Sequence, residues 1–317
     1  APSSPMKKNR LFLLIVIGLF SLSMTSPAAE RPPNVVLILV DDLGWSDIGC
    51  YGATFHETPN IDALAKSGAM FTDAYAASPV CSPTRASILS GKYPSRIGMS
   101  YIAGTNGPYG KAYKLNPPPV VGNIAPEDTT LAEALRSLGY ATAHIGKWHL
   151  QGHGEKGTEN FPQKHGFDIN IAGQRAGQPG SYYFPYKSKE YPDTNVLDME
   201  DGKPGDYLTD ALTTKAIGFI KDHAEKPFFL NLWYYTVHTP IEPRKDKLEK
   251  YTAKAKSLGL ERKVQDQQFK NIEMYKASMA TLERYEKFGL GDAILAREPF
   301  TAAQRVKFQS LVQDFAD

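Results

Sequence analysis

The feature that most restricts the fold is an apolar run that stops abruptly at two acidic residues. Residues 34–40 read Asn-Val-Val-Leu-Ile-Leu-Val, and Asp41 and Asp42 follow at once. A continuous run of β-branched and aliphatic side chains is typical of a strand that is buried on both faces, as in a parallel sheet. We therefore expect a buried strand whose carboxyl end carries two carboxylates.

Two later apolar segments end in the same way. The strand predicted at residues 140–145 is followed by Lys147 and His149, and the strand predicted at residues 227–237 ends at His238. Helices are predicted between these strands. The order of elements therefore favours an α/β domain with a largely parallel central sheet flanked by helices.

Capping residues, glycines and prolines mark the remaining elements. In chain order we expect a helix at 58–66, a loop at 101–126, a helix from Thr130 to about Gly139, a loop at 151–205 and a helix at 207–223.

The polar residues after the three strands are expected to meet, because ligands of open α/β sheets bind beyond the carboxyl ends of the strands. Asp41 and Asp42 offer the oxygen ligands that a hard divalent cation prefers. Lys147, His149 and His238 suit an oxyanion that needs charge neutralisation and proton transfer. Each residue alone is readily explained as a solvated strand end, but their joint occurrence favours a functional site.

A cysteine at a predicted helix start adds a candidate nucleophile. The run PVCSPTRASILSG has Pro83 suited to a first helical turn and Gly91 suited to a left-handed helix end. Cys81 would then lie at or just before the helix N-terminus, where free N–H groups and the helix dipole favour an anion. Arg85, one turn later, could reach the same position.

Three interpretations of Cys81 are open on these residues alone. It could be a structural cysteine that forms a disulfide with Cys50. It could be the thiolate of a phosphatase, although that chemistry normally needs a longer phosphate-binding loop before the arginine. It could also belong to the sulfatase signature Cys-x-Pro-x-Arg, which a short match by itself does not establish.

Several segments, taken in order, resemble the formylglycine-dependent (type I) sulfatases of the alkaline phosphatase superfamily. They read PNVVLILVDDLGWSDIGCYG, TPNIDALAKSGAMFTDAYAASPVCSPTRASILSGKYPSRIG, LAEALRSLGYATAHIGKWHL and HTPIEP, and together they span roughly residues 34–245. The resemblance implies an alkaline-phosphatase-like α/β fold and an arylsulfatase-like hydrolase of sulfate monoesters.

The same resemblance implies the metal and the nucleophile. Asp41, Asp42 and the residue at position 81 would bind a calcium ion, with magnesium the less favoured choice. Cys81 would be converted to formylglycine by a formylglycine-generating maturation enzyme, and Arg85 would steady the hydrate of the aldehyde.

The resemblance also assigns the sulfate and the leaving oxygen to Lys147, His149 and His238. The metal and Lys147 would neutralise the ester, one hydroxyl of the hydrate would attack sulfur, and a histidine would protonate the leaving alcohol. The second hydroxyl would then expel sulfate, which a plain thiol or serine cannot do. The remaining histidines are interpreted as structural or surface residues: His56, His144, His153, His165 and His223.

Residues 1–29 resemble a secretory signal. Three basic residues precede an apolar core at 11–20 that is too short to cross a membrane well, and small residues at 26–29 suit cleavage. We expect a start at Met6, export to the periplasm or the medium, and no stable membrane insertion. Removing the segment changes the formal net charge from +2 to −1, so nothing favours a nucleic-acid partner.

The resemblance weakens towards the C-terminus. The catalytic domain is expected at residues 30–290, with a helix near 274–279, but the family pattern is lost from Glu283 and residues 291–317 form a divergent tail. Family members usually carry a further strand that completes the metal site, a downstream lysine that contacts the sulfate, and a C-terminal subdomain. We therefore expect a sheet that is incomplete at the C-terminus of a truncated or frame-shifted chain, with weak calcium binding and little activity.

Two other functions remain possible on the sequence. One is a phosphomonoesterase or phosphodiesterase of the same superfamily, and the other is a non-catalytic remnant that binds sulfated glycans. The aromatic residues of 181–186 could stack on sugar rings, although packing of that loop onto the domain is the favoured explanation. The expected substrate is a sulfated carbohydrate or another small sulfate ester.

Overall fold

The computed structural model describes residues 31–103, 105, 119–152 and 160–260. The chain divides into two units, Ala1–Asn34 and Val35–Asp317. In the first unit, the described residues are 31–34, where Arg31 donates a hydrogen bond to the Asn34 side chain over 3.4 Å. The predicted signal segment, His153 and everything predicted beyond residue 260 lie outside the described residues.

The described part of the second unit contains four strands, six α-helices and several 3-10 turns. The strands are β1 (Val35–Val40), β2 (Ala141–Gly146), β3 (Ile169–Ile171) and β4 (Phe228–Tyr234). The helices are α1 (Pro59–Ser67), α2 (Cys81–Ser90), α3 (Pro94–Ile97), α4 (Leu131–Ser137), α5 (Leu208–Asp222) and α6 (Lys245–Ser257). None of these helices is both long and apolar enough to cross a membrane.

The four strands form one parallel sheet in the order β1-β4-β2-β3. In the register, Leu37 lies opposite Asn231, and Ala143 lies opposite Leu230. Because every pair is parallel, the carboxyl ends of all four strands lie along one edge of the sheet. The predicted parallel α/β architecture is therefore confirmed.

Helices cover both faces of the sheet, and β4 shows why. All seven β4 residues are buried, and successive side chains point to opposite faces. Leu230 and Leu232 pack in one cluster with Leu212 of α5. Trp233, on the other face, packs in a second cluster with Leu89 of α2. The helix that begins with Cys81 is thus held directly on the sheet.

The helix boundaries follow the local signals closely. Helix α2 begins at Cys81 and ends before Gly91, which has the left-handed φ of 67°. Helix α4 has the predicted capping box, because Thr130 Oγ1 accepts from the Glu133 N–H at 3.2 Å and Glu133 accepts from the Thr130 N–H at 2.7 Å. These boundaries depend on neighbouring residues only, which is why the sequence predicted them.

Two expectations about the sheet were wrong. Strand β1 is an edge strand within the described sheet, and Val36 and Ile38 are 45% and 48% exposed, so it is not buried on both faces there. An apolar run in the sequence predicts a strand, but it does not show which other elements pack against the two faces of that strand. Strand β3 lies inside the segment predicted to be a loop, because three residues are too short for a periodic signal.

Gly146 ends β2 with a φ of +106°, and a Cβ there would lie 1.9 Å from the carbonyl oxygen of Trp233. We expect Gly146→Ala to lower the free energy of unfolding by more than about 3 kcal/mol, because the steric clash adds to backbone strain. The matched control is Gly52→Ala, since Gly52 has a φ of +102° but an added Cβ meets no described atom within 4 Å. Strain alone should cost this control about 1–2 kcal/mol. Urea unfolding measures both, and equal losses would contradict the clash with Trp233.

Candidate active site

Asp41 is the residue on which the strand ends converge. It follows β1 directly and is buried. Its N–H donates to the Thr236 carbonyl at 2.8 Å, and its carbonyl accepts from the Val237 N–H at 2.6 Å. These two backbone hydrogen bonds tie Asp41 to the segment that follows β4 and fix the position of its main chain.

Two cationic side chains neutralise the Asp41 carboxylate. The Lys147 ammonium donates a hydrogen bond to Oδ2, and Arg85 Nη2 lies 3.3 Å from Oδ1. Burial alone would raise the pKa of Asp41, but the charges of Lys147 and Arg85 outweigh that cost and hold the pKa well below its ordinary value. Asp41 is therefore ionised at neutral pH.

Arg85 is held in place from three directions. Its Nη1 donates to the Lys147 carbonyl at 2.8 Å, and its guanidinium carbon lies 4.8 Å from the ring centroid of Trp233. The contact between Arg85 Nη2 and Asp41 is an ion pair but not a hydrogen bond, because the angles at the donor and acceptor atoms are unfavourable. The described contacts of Arg85 run to Asp41, the Lys147 carbonyl and Trp233. Arg85 also lines the same cavity as Cys81, so its predicted role at the helix N-terminus stays a prediction.

Cys81 opens into a cavity of about 450 Å³ between the end of β1 and the start of α2. The chemically active residues of its lining are Asp41, Asp42, Cys81 and Arg85. Cys81 is partly exposed, and both Cys50 and Cys81 are free thiols. The disulfide considered from the sequence is therefore absent, and Cys81 lines the same cavity as two carboxylates and a guanidinium.

Asp42 and His238 bring two more donors to Asp41. Asp42 has a left-handed φ of 61°, and its Oδ2 lies 3.9 Å from His238 Nε2. One ligand atom each from Asp41, Asp42 and His238 lie within 4.8 Å of one another. Burial and then the charge of Lys147 lower the pKa of His238, although Asp41 and Asp42 oppose the shift. A divalent cation could therefore use a neutral imidazole or two carboxylates here.

His149 also takes a left-handed backbone conformation, with a φ of 60°. Its N–H donates to the Gln174 carbonyl at 3.0 Å, and its carbonyl accepts from the Ser82 hydroxyl at 2.9 Å. The ring is buried, and burial followed by the charge of Lys147 lowers its pKa well below the ordinary value. His149 is therefore neutral at neutral pH.

The described residues place the predicted site residues on one edge of the sheet. Asp41, Asp42, Cys81 and Arg85 line the same cavity, whereas Lys147 is fully buried and its ammonium contacts Asp41. The sulfate contacts of Lys147, His149 and His238 and the metal contact of position 81 stay predictions.

Other residues contribute to the site without having been predicted. Ser82 joins α2 to the His149 carbonyl, Trp233 covers Arg85, and the Tyr182 hydroxyl donates to the carbonyls of Tyr235 and His238 at 2.7 and 2.9 Å. Their partners are distant in sequence, so no local pattern marks them. Tyr182 is fully buried, which confirms the favoured view that residues 181–186 pack onto the domain.

His144 is a structural residue, as predicted. It is fully buried among Trp148, Phe167 and Trp233, and its Nε2 donates to the Gly146 carbonyl at 3.1 Å. Burial lowers the pKa of His144 to about 3, so the ring is neutral under the active-site strands. It supports the strand ends and does not reach the cavity lining.

Comparison with known proteins shows the family of the chain. The family model described as Sulfatase matches residues 33–285, which is most of the chain. The chain belongs to the sulfatase family. N-acetylgalactosamine-6-sulfatase of Sus scrofa is 36% identical over 250 residues, covering 74% of this chain and 44% of that protein. Human arylsulfatase A is 43% identical over 140 residues, covering 44% of this chain and 25% of that protein.

Two solved structures are similar to this chain over much of its length. Ps i-CgsB in complex with k-i-k-neocarrahexaose aligns with a TM-score of 0.53 at 31% identity, covering 70% of this chain and 49% of that chain. A protein in complex with its substrate D-glucosamine-2-N,6-O-disulfate aligns with a TM-score of 0.50 at 27% identity. The alignment covers 70% of this chain and 38% of that chain. The chain thus spans less than half the length of the curated relatives it matches.

Removing the charge of Lys147 tests how much its buried ion pair with Asp41 stabilises the fold. Lys147→Met keeps the side-chain volume but leaves the carboxylate with Arg85 alone, so we expect the free energy of unfolding at neutral pH to fall by about 3–5 kcal/mol. The deficit relative to the unaltered chain should shrink as the pH is lowered. Loss of the Lys147 charge raises the pKa of Asp41, and protonation then removes the incompletely neutralised carboxylate.

The matched control is Lys215→Met, which removes an ammonium that pairs with exposed Asp201 at 2.5 Å. Its stability should stay close to that of the unaltered chain, because water solvates the remaining carboxylate. Denaturant unfolding across pH measures both variants. A Lys147→Met variant as stable as the control would show that the Asp41 pair does not support the site.

Proposed function

We propose that this chain hydrolyses sulfate monoesters, with a formylglycine at position 81 as the nucleophile and a divalent cation at Asp41 and Asp42. The proposal rests on one observation: Cys81, Asp41, Asp42 and Arg85 line the same cavity. The Cys-x-Pro-x-Arg sequence at that cavity and membership of the sulfatase family support it. A phosphatase loop between cysteine and arginine is not accommodated, because α2 begins at Cys81 itself.

The donor set fits a hard divalent cation. Asp41 and Asp42 provide carboxylate oxygens, and each carboxylate oxygen has lone pairs beyond those used by Lys147 and Arg85. His238 adds a nitrogen, which calcium disfavours, so we assign this histidine to the sulfate rather than to the metal. Calcium is the proposed ion, with magnesium less favoured. When bound, the ion would supply positive charge beside the ester oxygens.

Position 81 fits the modification as well as the nucleophile. The Cys81 thiol is partly exposed and lies in the first turn of α2, near the surface of the folded domain. A maturation enzyme could reach it before the chain folds or while the chain is only partly folded. The aldehyde hydrate would supply one hydroxyl for attack and a second for release of sulfate.

The side chains of the chain have separable tasks in this proposal. Lys147 and Arg85 outweigh the charge of Asp41, and Asp42 brings the sum of these four side chains to zero. A bound divalent cation would therefore supply the net positive charge that favours an anionic ester. His238 and His149, both neutral at neutral pH, can each donate an N–H to a sulfate oxygen or to the leaving oxygen. Ser82 and Trp233 hold His149 and Arg85 in position.

The first experiment asks whether Cys81 is converted and what the product hydrolyses. In protein made with a formylglycine-generating enzyme, mass spectrometry of the tryptic peptide of residues 67–85 should show an aldehyde in place of the thiol. The chain should hydrolyse 4-nitrophenyl sulfate slowly, in keeping with the little activity expected from its incomplete metal site, but faster than 4-nitrophenyl phosphate. Activity removed by a chelator should return more fully with calcium than with magnesium.

Cys81→Ala should lower turnover by about a thousandfold or more, because it removes the nucleophile. Cys50→Ala is the matched control and should leave turnover unchanged, since Cys50 does not line the cavity. An unmodified Cys81 thiol under competent conditions, or a faster reaction with phosphate, would contradict the proposal. Binding of sulfated sugars without turnover would favour the glycan-binding remnant.

We further propose that the substrate is a sulfated carbohydrate. N-acetylgalactosamine-6-sulfatase and the structures bound to a neocarrahexaose and to a glucosamine disulfate all act on or bind sugars, and these support the assignment. The cavity is open to solvent beside Asp42 and Cys81, which leaves room for a group as large as a sugar ring.

A panel of sulfated N-acetylgalactosamine and glucosamine, beside 4-nitrophenyl sulfate, tests this substrate class. We expect kcat/KM for at least one sulfated sugar to exceed that of the aryl sulfate, because the sugar adds contacts that the aryl group lacks. The unsulfated sugars should not inhibit at the same concentrations. Turnover of the aryl sulfate alone would overturn the carbohydrate assignment.

A further inference from the structure

The segment of residues 172–178, which follows β3, is held to the domain by hydrogen bonds at Ala172 and Gln174, and beyond Gly177 the Gln178 side chain accepts a hydrogen bond from the Thr239 hydroxyl at 3.4 Å. The Tyr235 hydroxyl donates to the Ala172 carbonyl at 2.8 Å, and the Gln174 side chain donates to the Asn195 carbonyl at 2.8 Å. Ala172 and Tyr235 are buried. These hydrogen bonds restrain the segment where it approaches His149.

This segment lies against His149. The Gln174 carbonyl accepts the His149 N–H at 3.0 Å, while the Ser82 hydroxyl holds the His149 carbonyl from the opposite side. The main chain of His149 is thus fixed. The ring is not fixed in the same way, because Nδ1 is buried with no hydrogen-bond partner among the described residues. Packing must set the ring orientation.

Gly177 provides that packing. A Cβ on Gly177 would lie 2.3 Å from Cε1 of the His149 ring and 2.6 Å from each ring nitrogen. Contacts under 3.0 Å are essentially never made by real Cβ atoms, so either the ring or the segment would have to move. Because hydrogen bonds restrain the segment at Gln174 on one side of Gly177 and at Gln178 on the other, we expect the ring to move more than the segment.

We propose that Gly177 is a positioning residue, whose missing side chain lets the main chain lie flat against the His149 imidazole and hold its nitrogens towards the site. The proposal rests on the proposed function, in which His149 contacts the sulfate or the leaving oxygen. Glycine is required here by the approach of the ring and not by its own φ, which is not left-handed.

The test compares Gly177→Ala with Gly218→Ala, using 4-nitrophenyl sulfate and calcium. Gly177→Ala should lower kcat by about 10–100-fold, because a displacement of about 1 Å is enough to misplace a reacting group. KM should change far less than kcat. Gly218 lies inside α5, and a Cβ there meets no described atom within 4 Å, so Gly218→Ala should keep full activity.

A second measurement does not depend on turnover. The Cε1–Hε1 NMR signal of His149, identified by its loss in His149→Ala, should shift in Gly177→Ala and stay in place in Gly218→Ala. An unshifted signal in Gly177→Ala overturns the inference even if the unaltered chain hydrolyses no sulfate ester. Absence of turnover with a shifted signal would instead count against the proposed function only.

The double variant His149→Ala/Gly177→Ala distinguishes a local contact from a general loss of folding. Its kcat should equal that of His149→Ala, because Gly177 acts only through the ring. If Gly177→Ala alone does not fold, the double variant should fold as well as His149→Ala, since the clashing ring is gone. A double variant that is less active or less stable than His149→Ala would show that Gly177 supports something other than His149.

Discussion

The site depends on one buried carboxylate and the two cations that neutralise it. Leaving Asp41 unpaired in the interior would cost several kcal/mol, so the fold must bring Lys147 and Arg85 to it. Asp41 follows β1, Lys147 follows β2, and Arg85 lies on α2. One electrostatic requirement therefore ties two strands and a helix together at the carboxyl edge of the sheet.

That requirement also orients the nucleophile. Arg85 is one turn after Cys81, and its guanidinium is held between Asp41, the Lys147 carbonyl and the ring of Trp233. Because a helix is rigid over one turn, fixing Arg85 fixes the direction in which Cys81 faces. Cys81 and Arg85 lie on the same face of the helix, so the contacts of Arg85 also hold Cys81 at the cavity.

The amino-acid sequence by itself determined the parts that depend on near neighbours. Apolar runs indicated β1, β2 and β4, and the capping pair Thr130 and Glu133 marked the start of α4, because these signals act within a few residues. The Cys-x-Pro-x-Arg sequence, together with the polar residues after three strands, pointed to the chemistry and to the edge of the sheet where it would lie. Parallel strand order then made the convergence of those residues a geometric necessity.

Only the tertiary structure decided which groups meet and how each is held. It placed β1 at the edge of the described sheet, turned Arg85 inward, left Cys50 and Cys81 unbonded, and set Gly177 against His149. Each of these contacts joins residues that are far apart in the chain, and their geometry follows from the packing of whole elements. No local pattern carries that information, because the same residue types would be equally stable as solvated strand ends or loop residues in another fold.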